Sequence, residues 1–360
     1  MSELRCGVVG LNRGRLFVNV LQNHPHCRVT AVCDSDPKRL AGFSGLATHT
    51  DYDAFLAEGL DVVAVVTPGP LHAGQSIRAL ESGSHVLCET PCVYSVAEAR
   101  NVVSATQRTG RSYMLAEDYL WRGWVEALKA AADDGAFGRT VYAEGEYIHD
   151  CRDIMLADEA GFVPYADRGR RPGAARTWRA THLPPIVYCS HTLGPLLTIM
   201  GDRVTSAVGL STGTHTAPDL DAIDVEAALL ETEQGAVIRL TNGFSVACPM
   251  VLGFQLVGTA GSVRFVHDGR ASARWYSEAA VPRMTGWEDM PAHMMGGRDG
   301  RDSVAAMVEQ FVASILEGRQ PPIDVHRSMD FVLPGIIANE SARQGGVKLP
   351  VPDSRSWATG

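Results

Sequence analysis

Lysine is almost missing from this 360-residue chain: only Lys38, Lys129 and Lys348 are present, and the other basic residues are arginines. That limits the acid–base chemistry available to it. No apolar run approaches the about 20 residues that a membrane helix needs. Met1 to Arg5 lead into a strand without the apolar stretch of a signal peptide, so the expectation is a cytoplasmic protein with no membrane partner. The eight cysteines form no CxxC pair, which speaks against a zinc site or a disulfide framework and for buried thiols acting as small hydrophobes. Twelve histidines form no HxxxH or HExxH pair, and no metal is expected. Acidic residues outnumber basic ones by 41 to 32, and no basic cluster alternates with aromatics, which excludes nucleic acid as a partner.

What is there is 45% hydrophobic, enough for globular cores, and its length suggests two domains, 1–121 and 122–360. Up to about residue 121, β-rich runs alternate with helical patterns: Cys6–Gly10, Arg28–Asp34, Val62–Thr67 and His85–Glu89 read as strands of a doubly wound parallel sheet. Beyond residue 122 the strands lengthen and alternate with period two, at Thr140–Ile148, Val225–Leu230, Ala236–Thr241 and Phe254–Phe265. The fold class is therefore α/β, a Rossmann sheet followed by an α+β domain with a large, mainly antiparallel sheet. Asp167–Arg179, rich in Gly, Arg and Pro, reads as a long loop. Helical stretches at Ser303–Leu316 and Ser328–Ala342 return to brace the first domain.

The first strand ends in Gly10-Leu11-Asn12-Arg13-Gly14-Arg15, a degraded GxGxxG turn that is weak evidence by itself. Asp34 closes the second strand, where a carboxylate accepts hydrogen bonds from ribose hydroxyls and repels a 2′-phosphate, which favours NAD over NADP. Thr67-Pro68-Gly69-Pro70-Leu71-His72 and Glu89-Thr90-Pro91 follow at successive strand ends, where open α/β sheets bind ligands. A shared dinucleotide crevice accounts for all of these better than separate turns do.

With these motifs the chain resembles the Gfo/Idh/MocA family, which includes glucose–fructose oxidoreductase and inositol dehydrogenase. The resemblance implies that Gly10, Asn12, Arg13, Asp34, Thr67, Pro68, His72 and Glu89 serve NAD. It also places Thr90 where the family has a lysine that assists removal of the substrate hydroxyl proton. Threonine cannot take that proton near neutral pH. Several segments are similar to the NAD-dependent glycoside hydrolase branch, typified by bacterial α-N-acetylgalactosaminidases, whose motif also lacks the lysine. They are Glu117-Asp118-Tyr119, Glu144 to Asp150, Trp178-Arg179, Tyr188-Cys189-Ser190-His191-Thr192-Leu193-Gly194-Pro195 and Gly296-Gly297-Arg298-Asp299. Asp118 departs from the usual asparagine and Met295 from the usual histidine.

That resemblance implies a glycosidase that transiently oxidises carbon 3 of a small glycoside, eliminates the glycosidic group, adds water and reduces the ketone again. It further implies His191 at the carbon 3 hydroxyl and either Tyr188 or Tyr119 at the carbon 2 proton. Glu117, Trp178 and Arg179 join the cofactor set, while Asp118, His149, Arg152 and Arg179 contact the sugar. The alternatives are a sugar or cyclitol dehydrogenase that releases NADH, and a non-catalytic sensor, against which Tyr188 and His191 argue. Arg152, Arg168, Arg170, Arg171, Arg176 and Arg179 suggest an anionic sugar, a carboxylate or a sulfoquinovoside, because guanidinium forks suit oxyanions. The family's open sheet face also implies a homodimer or homotetramer.

Overall fold

A computed structural model of the chain describes residues 3–267, 271–281, 285–295 and 301–357. The chain divides into two compact units: Met1–Trp121 with Arg298–Asp330 and Asp353–Gly360, and Arg122–Gly297 with Phe331–Pro352.

The first unit is built on six strands, β1 (Leu4–Val9), β2 (Cys27–Cys33), β3 (Ala47–His49), β4 (Val62–Val65), β5 (His85–Cys88) and β6 (Tyr113–Leu115). All pair in parallel, in the order β3-β2-β1-β4-β5-β6, so the sheet reverses its winding between β1 and β4. Val8, Val62–Val65, Val86 and Met114 are buried on both faces, as expected of strands covered by helices on either side. Gly10 has a φ of 86°, and a Cβ there would run into the backbone at Val66 and Thr67; only glycine allows the first turn to pass this close to the end of β4. The helix Arg301–Leu316 packs against Gly14–Gln22 and the turn Asp118–Trp121 within this unit. His24 and Glu309 stand 2.8 Å apart across the first of these contacts.

The second unit holds β7 (Thr140–Ile148), a small sheet of β8 (Leu156–Asp158), β9 (Gly161–Phe162) and β10 (Ala175–Arg176), and eight further strands. These are β11 (Val204–Ser211), β12 (Val225–Thr232), β13 (Val237–Gly243), β14 (Val251–Gly258), β15 (Gly261–His267), β16 (Ala271–Ser277), β17 (Glu288–Asp289) and β18 (Leu349–Pro350). Together with β7 they form a nine-stranded sheet in the order β17-β16-β15-β14-β7-β13-β12-β11-β18. Only β7 and β13 pair in parallel.

Two sequence expectations are corrected. Phe254–Phe265 is not one strand, because the chain turns at Thr259-Ala260 and β14 pairs back onto β15. Cβ atoms at Gly258 and Gly261 would collide with the carbonyls of Phe137 and Ala136, so both glycines serve the close packing of the turn. Asp167–Arg179 is not a structureless loop either: it contains β10, paired with β8, and ends in the helical turn Trp178–Thr181. All eight cysteines are free thiols. Among the described residues no helix is long and apolar enough to cross a membrane.

Candidate active site

In the first unit the strand ends present one connected set of polar groups. Asp34, 6% exposed at the end of β2, accepts hydrogen bonds from the amides of Leu11 (2.7 Å) and Asp36 (2.9 Å). A carboxylate has about four acceptor positions, so this one is anchored and still able to bind hydroxyls. The helix Gly14–Gln22 begins directly after the glycine turn, and no side chain caps its N-terminus. Its first amides therefore remain suited to an anionic diphosphate. Asn12 and Arg13 are exposed in that turn. On these counts the residues fit a dinucleotide.

Arg13 does more than line the turn. Its Nε donates to Glu89 Oε1 at 3.0 Å, and its Nη2 lies 3.5 Å from Asp118 Oδ1. A cation thus does reach the motif in which threonine replaces lysine, from a position remote in sequence. It cannot take over the lysine's proton transfer, since a guanidinium stays protonated. Thr67 donates to Gln75 Oε1 at 2.6 Å. His72 is buried, with its ring nitrogens 2.7 Å from Thr67 O and 2.9 Å from Pro91 O. Burial holds its pKa down against the pull of these two carbonyls. A neutral imidazole carries one N–H, so His72 donates to one of these two carbonyls at a time and holds the Thr67-Pro68 strand end close to Pro91. Glu117 is fully buried and accepts from the amide of Tyr119, itself 7% exposed.

In the second unit β7 ends by delivering Tyr147 and His149 to a cluster with Tyr188 and His191. Tyr188 closes the 3₁₀ turn Pro185–Tyr188, and His191 lies in the first turn of the helix Ser190–Met200. Their rings meet edge to face at 4.8 Å. Tyr147 stacks on Tyr188 at 6.2 Å and meets His191 edge-on at 5.5 Å, while Phe244 closes the cluster against both tyrosines. His149 Nδ1 is 3.4 Å from the Tyr147 hydroxyl. Burial lowers the His149 pKa, and the charges of His191 and Arg179 push the same way against Asp150. A neutral imidazole therefore sits beside His191 and Arg179. The sequence alone gives Tyr147 and Phe244 no role; the signal it holds is that the alternation of β7 ends in two consecutive apolar residues, Tyr147 and Ile148.

The arginines do not form the free cationic patch that their density suggests. Arg152 is held by Asp150 through two side-chain hydrogen bonds of 2.8 and 2.7 Å. Arg168 is paired with Asp219, Arg170 with Asp167, Arg171 with Asp158 and Arg176 with Asp221. Arg179 is the exception, with no carboxylate partner among the described residues; its guanidinium lies 4.5 Å from the Trp178 ring centre. Gly296–Asp299 lies outside the described residues.

A reversing parallel sheet with an acid at the end of β2 defines the class, an NAD-dependent enzyme of Rossmann type. In agreement, residues 4–117 match the oxidoreductase family with an NAD-binding Rossmann fold, and residues 124–358 match the C-terminal domain of glycosyl hydrolase 109. The chain belongs to glycosyl hydrolase family 109 and is an NAD-dependent glycoside hydrolase. It is similar to a glycosyl hydrolase family 109 protein of Streptomyces niveus, 26% identical over 98% of this chain and 77% of that one. A Bacteroides fragilis protein of the same description is 25% identical over 92% and 75%. Among solved structures, an oxidoreductase domain protein from Kribbella flavida superposes with a TM-score of 0.78 at 20% identity, over 98% of this chain and 100% of that one. A levoglucosan dehydrogenase in complex with NADH and L-sorbose gives 0.81 at 17% identity over the same shares. At these identities the solved structures speak for the fold alone.

Proposed function

We propose that the protein is an NAD-dependent glycosidase of the cytoplasm that cleaves a small anionic glycoside by oxidation at carbon 3, elimination, hydration and re-reduction. NAD bound by the Gly10–Arg13 turn and Asp34 would supply reversible hydride removal at the sugar. The protein's own groups move the protons: His191 serves the carbon 3 hydroxyl, and Tyr188 or Tyr119 the acidified carbon 2 proton. Thr90 takes no part in this. The observation that carries the reading is the packing of Tyr188 against His191, two side chains able to exchange protons side by side at the start of one helix. His149 and Asp118 contact the sugar. The anion is assigned to Arg179, supported by its lack of a carboxylate partner among the described residues and its proximity to His149. Carboxylated and sulfonated sugars, including sulfoquinovosides, fit such a guanidinium. We further propose that the protein works as a homodimer or homotetramer.

A panel of chromogenic glycosides, neutral and acidic and of both anomeric configurations, assayed with and without added NAD, tests this reading. Hydrolysis of acidic members in preference to neutral ones is expected. Preference for neutral glucosides or N-acetylgalactosaminides would overturn the anionic assignment. Steady formation of NADH from free sugar would favour a dehydrogenase instead.

A further inference from the structure

Beneath Tyr188 lie two polar side chains that the proposed chemistry does not use. Glu226 of β12 is 1% exposed and Asn242 of β13 is fully buried. They face each other directly in the antiparallel register, which brings opposite side chains on one face within reach of each other. Both strands pack against the turn Pro185–Tyr188. Glu226 Oε2 accepts from the amide of Ile186 at 3.1 Å, near the start of that turn. Asn242 Nδ2 donates to the carbonyl of Tyr188 at 3.3 Å, at its end. That carbonyl can only accept, so the amide group of Asn242 points its NH₂ at Tyr188 and its oxygen elsewhere. Two atoms are then left over: Glu226 Oε1 and Asn242 Oδ1 are both buried with no hydrogen-bond partner among the described residues.

Two opposed buried acceptors are costly, and one proton on the carboxyl removes the cost for both. We propose that Glu226 is a positioning residue for Tyr188: as the neutral acid it donates a hydrogen bond to Asn242 Oδ1, and the pair clamps both ends of the turn Pro185–Tyr188. The surroundings favour the proton. Burial pushes the Glu226 carboxyl up to about 7, with only the Ile186 amide pulling it down.

Among the described residues no cation faces it from the elements around it. β11 has no ionisable residue, and Arg239, the only charged residue of β13, points to the opposite face, where it pairs with Glu144. The turn contributes Tyr188. On the helix Val325–Arg343, Arg327 pairs with Asp330, His326 Nδ1 lies 2.9 Å from Ser354 Oγ, and Glu340 and Arg343 are exposed; upstream in the chain Asp224 is occupied by the amides of His215 and Thr216. As pH rises through about 7, ionised Glu226 can no longer donate, the two oxygens repel, and the turn loosens. A carboxyl raised above its unfolded value contributes stability that is complete below that value and lost as pH rises through the folded one.

The kinetic part of this inference rests on Tyr188 being a proton-transfer group; the protonation itself does not. Full-length protein loaded with NAD is compared with Glu226→Gln, Glu226→Ala and Asn242→Ala. Glutamine keeps a donor towards Asn242 at every pH, so its kcat and its melting temperature should fall less on the alkaline side than those of the wild type. Each alanine variant should lower kcat on the order of tenfold to a hundredfold, with a much smaller change in KM, as expected for a misplaced reacting group. In the infrared, the wild type at pH 6 should show a protonated-carboxyl stretch that shifts in heavy water and is missing from Glu226→Gln. Absence of that band overturns the proposal. So do pH profiles of kcat in Glu226→Gln that superimpose on the wild type. If no glycoside is turned over, the functional reading has failed instead, and the infrared band together with the pH dependence of melting still decides the state of Glu226.

Discussion

At the scale of single residues the site separates side chains by what their neighbours leave them free to do. Asp34 accepts from the amides of Leu11 and Asp36 and lies 3.6 Å from Arg39 Nη1, which leaves acceptor positions for ribose hydroxyls, so Asp34→Ala should weaken NAD binding and narrow its preference over NADP. Calorimetry with both cofactors checks this, and equal wild-type affinities would remove the role of Asp34. His191→Ala and Tyr188→Phe should each reduce turnover by about a hundredfold or more while NAD stays bound. Unaltered rates in both would relocate the chemistry. The arginines are distinguished in the same way. Arg152 is committed to Asp150, whereas Arg179 has no carboxylate partner among the described residues. Arg179→Ala should therefore raise KM for an acidic glycoside far more than for its neutral analogue, and Arg152→Ala should raise both little. Equal effects of Arg179→Ala on the two substrates would count against an anion contact, and a separate NAD titration shows whether the cofactor is disturbed.

At the scale of elements, the residues proposed to move protons are placed by close backbone contacts. The turn Pro185–Tyr188 lies against the helix Val325–Arg343 at Gly335, where a Cβ would run into the carbonyl of Ile186 and the sulfur of Cys189. Gly335→Ala should displace the turn, costing about 1–3 kcal/mol through overpacking and lowering kcat more than it raises KM. A variant with wild-type kcat and melting temperature would show that the turn can move without consequence. Such contacts also mark what the sequence could and could not reveal. β7 is readable from period-two alternation over Thr140–Ile148, because one face is buried and the other is not. β3 and β6, three residues each, are too short for any period, and the turn inside Phe254–Phe265 lacks the usual Asn-Gly or Asp-Gly signal. Tyr188 and His191 stand close in sequence and stay together in the fold. Arg13, Glu89 and Asp118 are far apart in the chain, and only the winding of the parallel sheet unites them. The opposed Glu226 and Asn242 depend on strand register, which no local pattern records.

At the scale of the whole molecule, the two matched families describe different chemistry: residues 4–117 an oxidoreductase fold that binds NAD, residues 124–358 a glycoside hydrolase domain. One overall reaction can use both only if the cofactor leaves each cycle in the oxidation state in which it entered. This makes stoichiometry the sharpest measurement available. A sample loaded with one equivalent of NAD and freed of excess should hydrolyse many equivalents of an acidic glycoside while absorbance at 340 nm stays below one equivalent of NADH. On the proposed route the same turnover run in heavy water should place deuterium on carbon 2 of the released sugar, because a proton taken there by Tyr188 or Tyr119 would exchange with solvent before it is returned. Hydrolysis without deuterium at carbon 2 would exclude elimination and leave direct displacement at the anomeric carbon. NADH rising in step with product would instead assign the protein to the dehydrogenases, with the cofactor acting as a co-substrate.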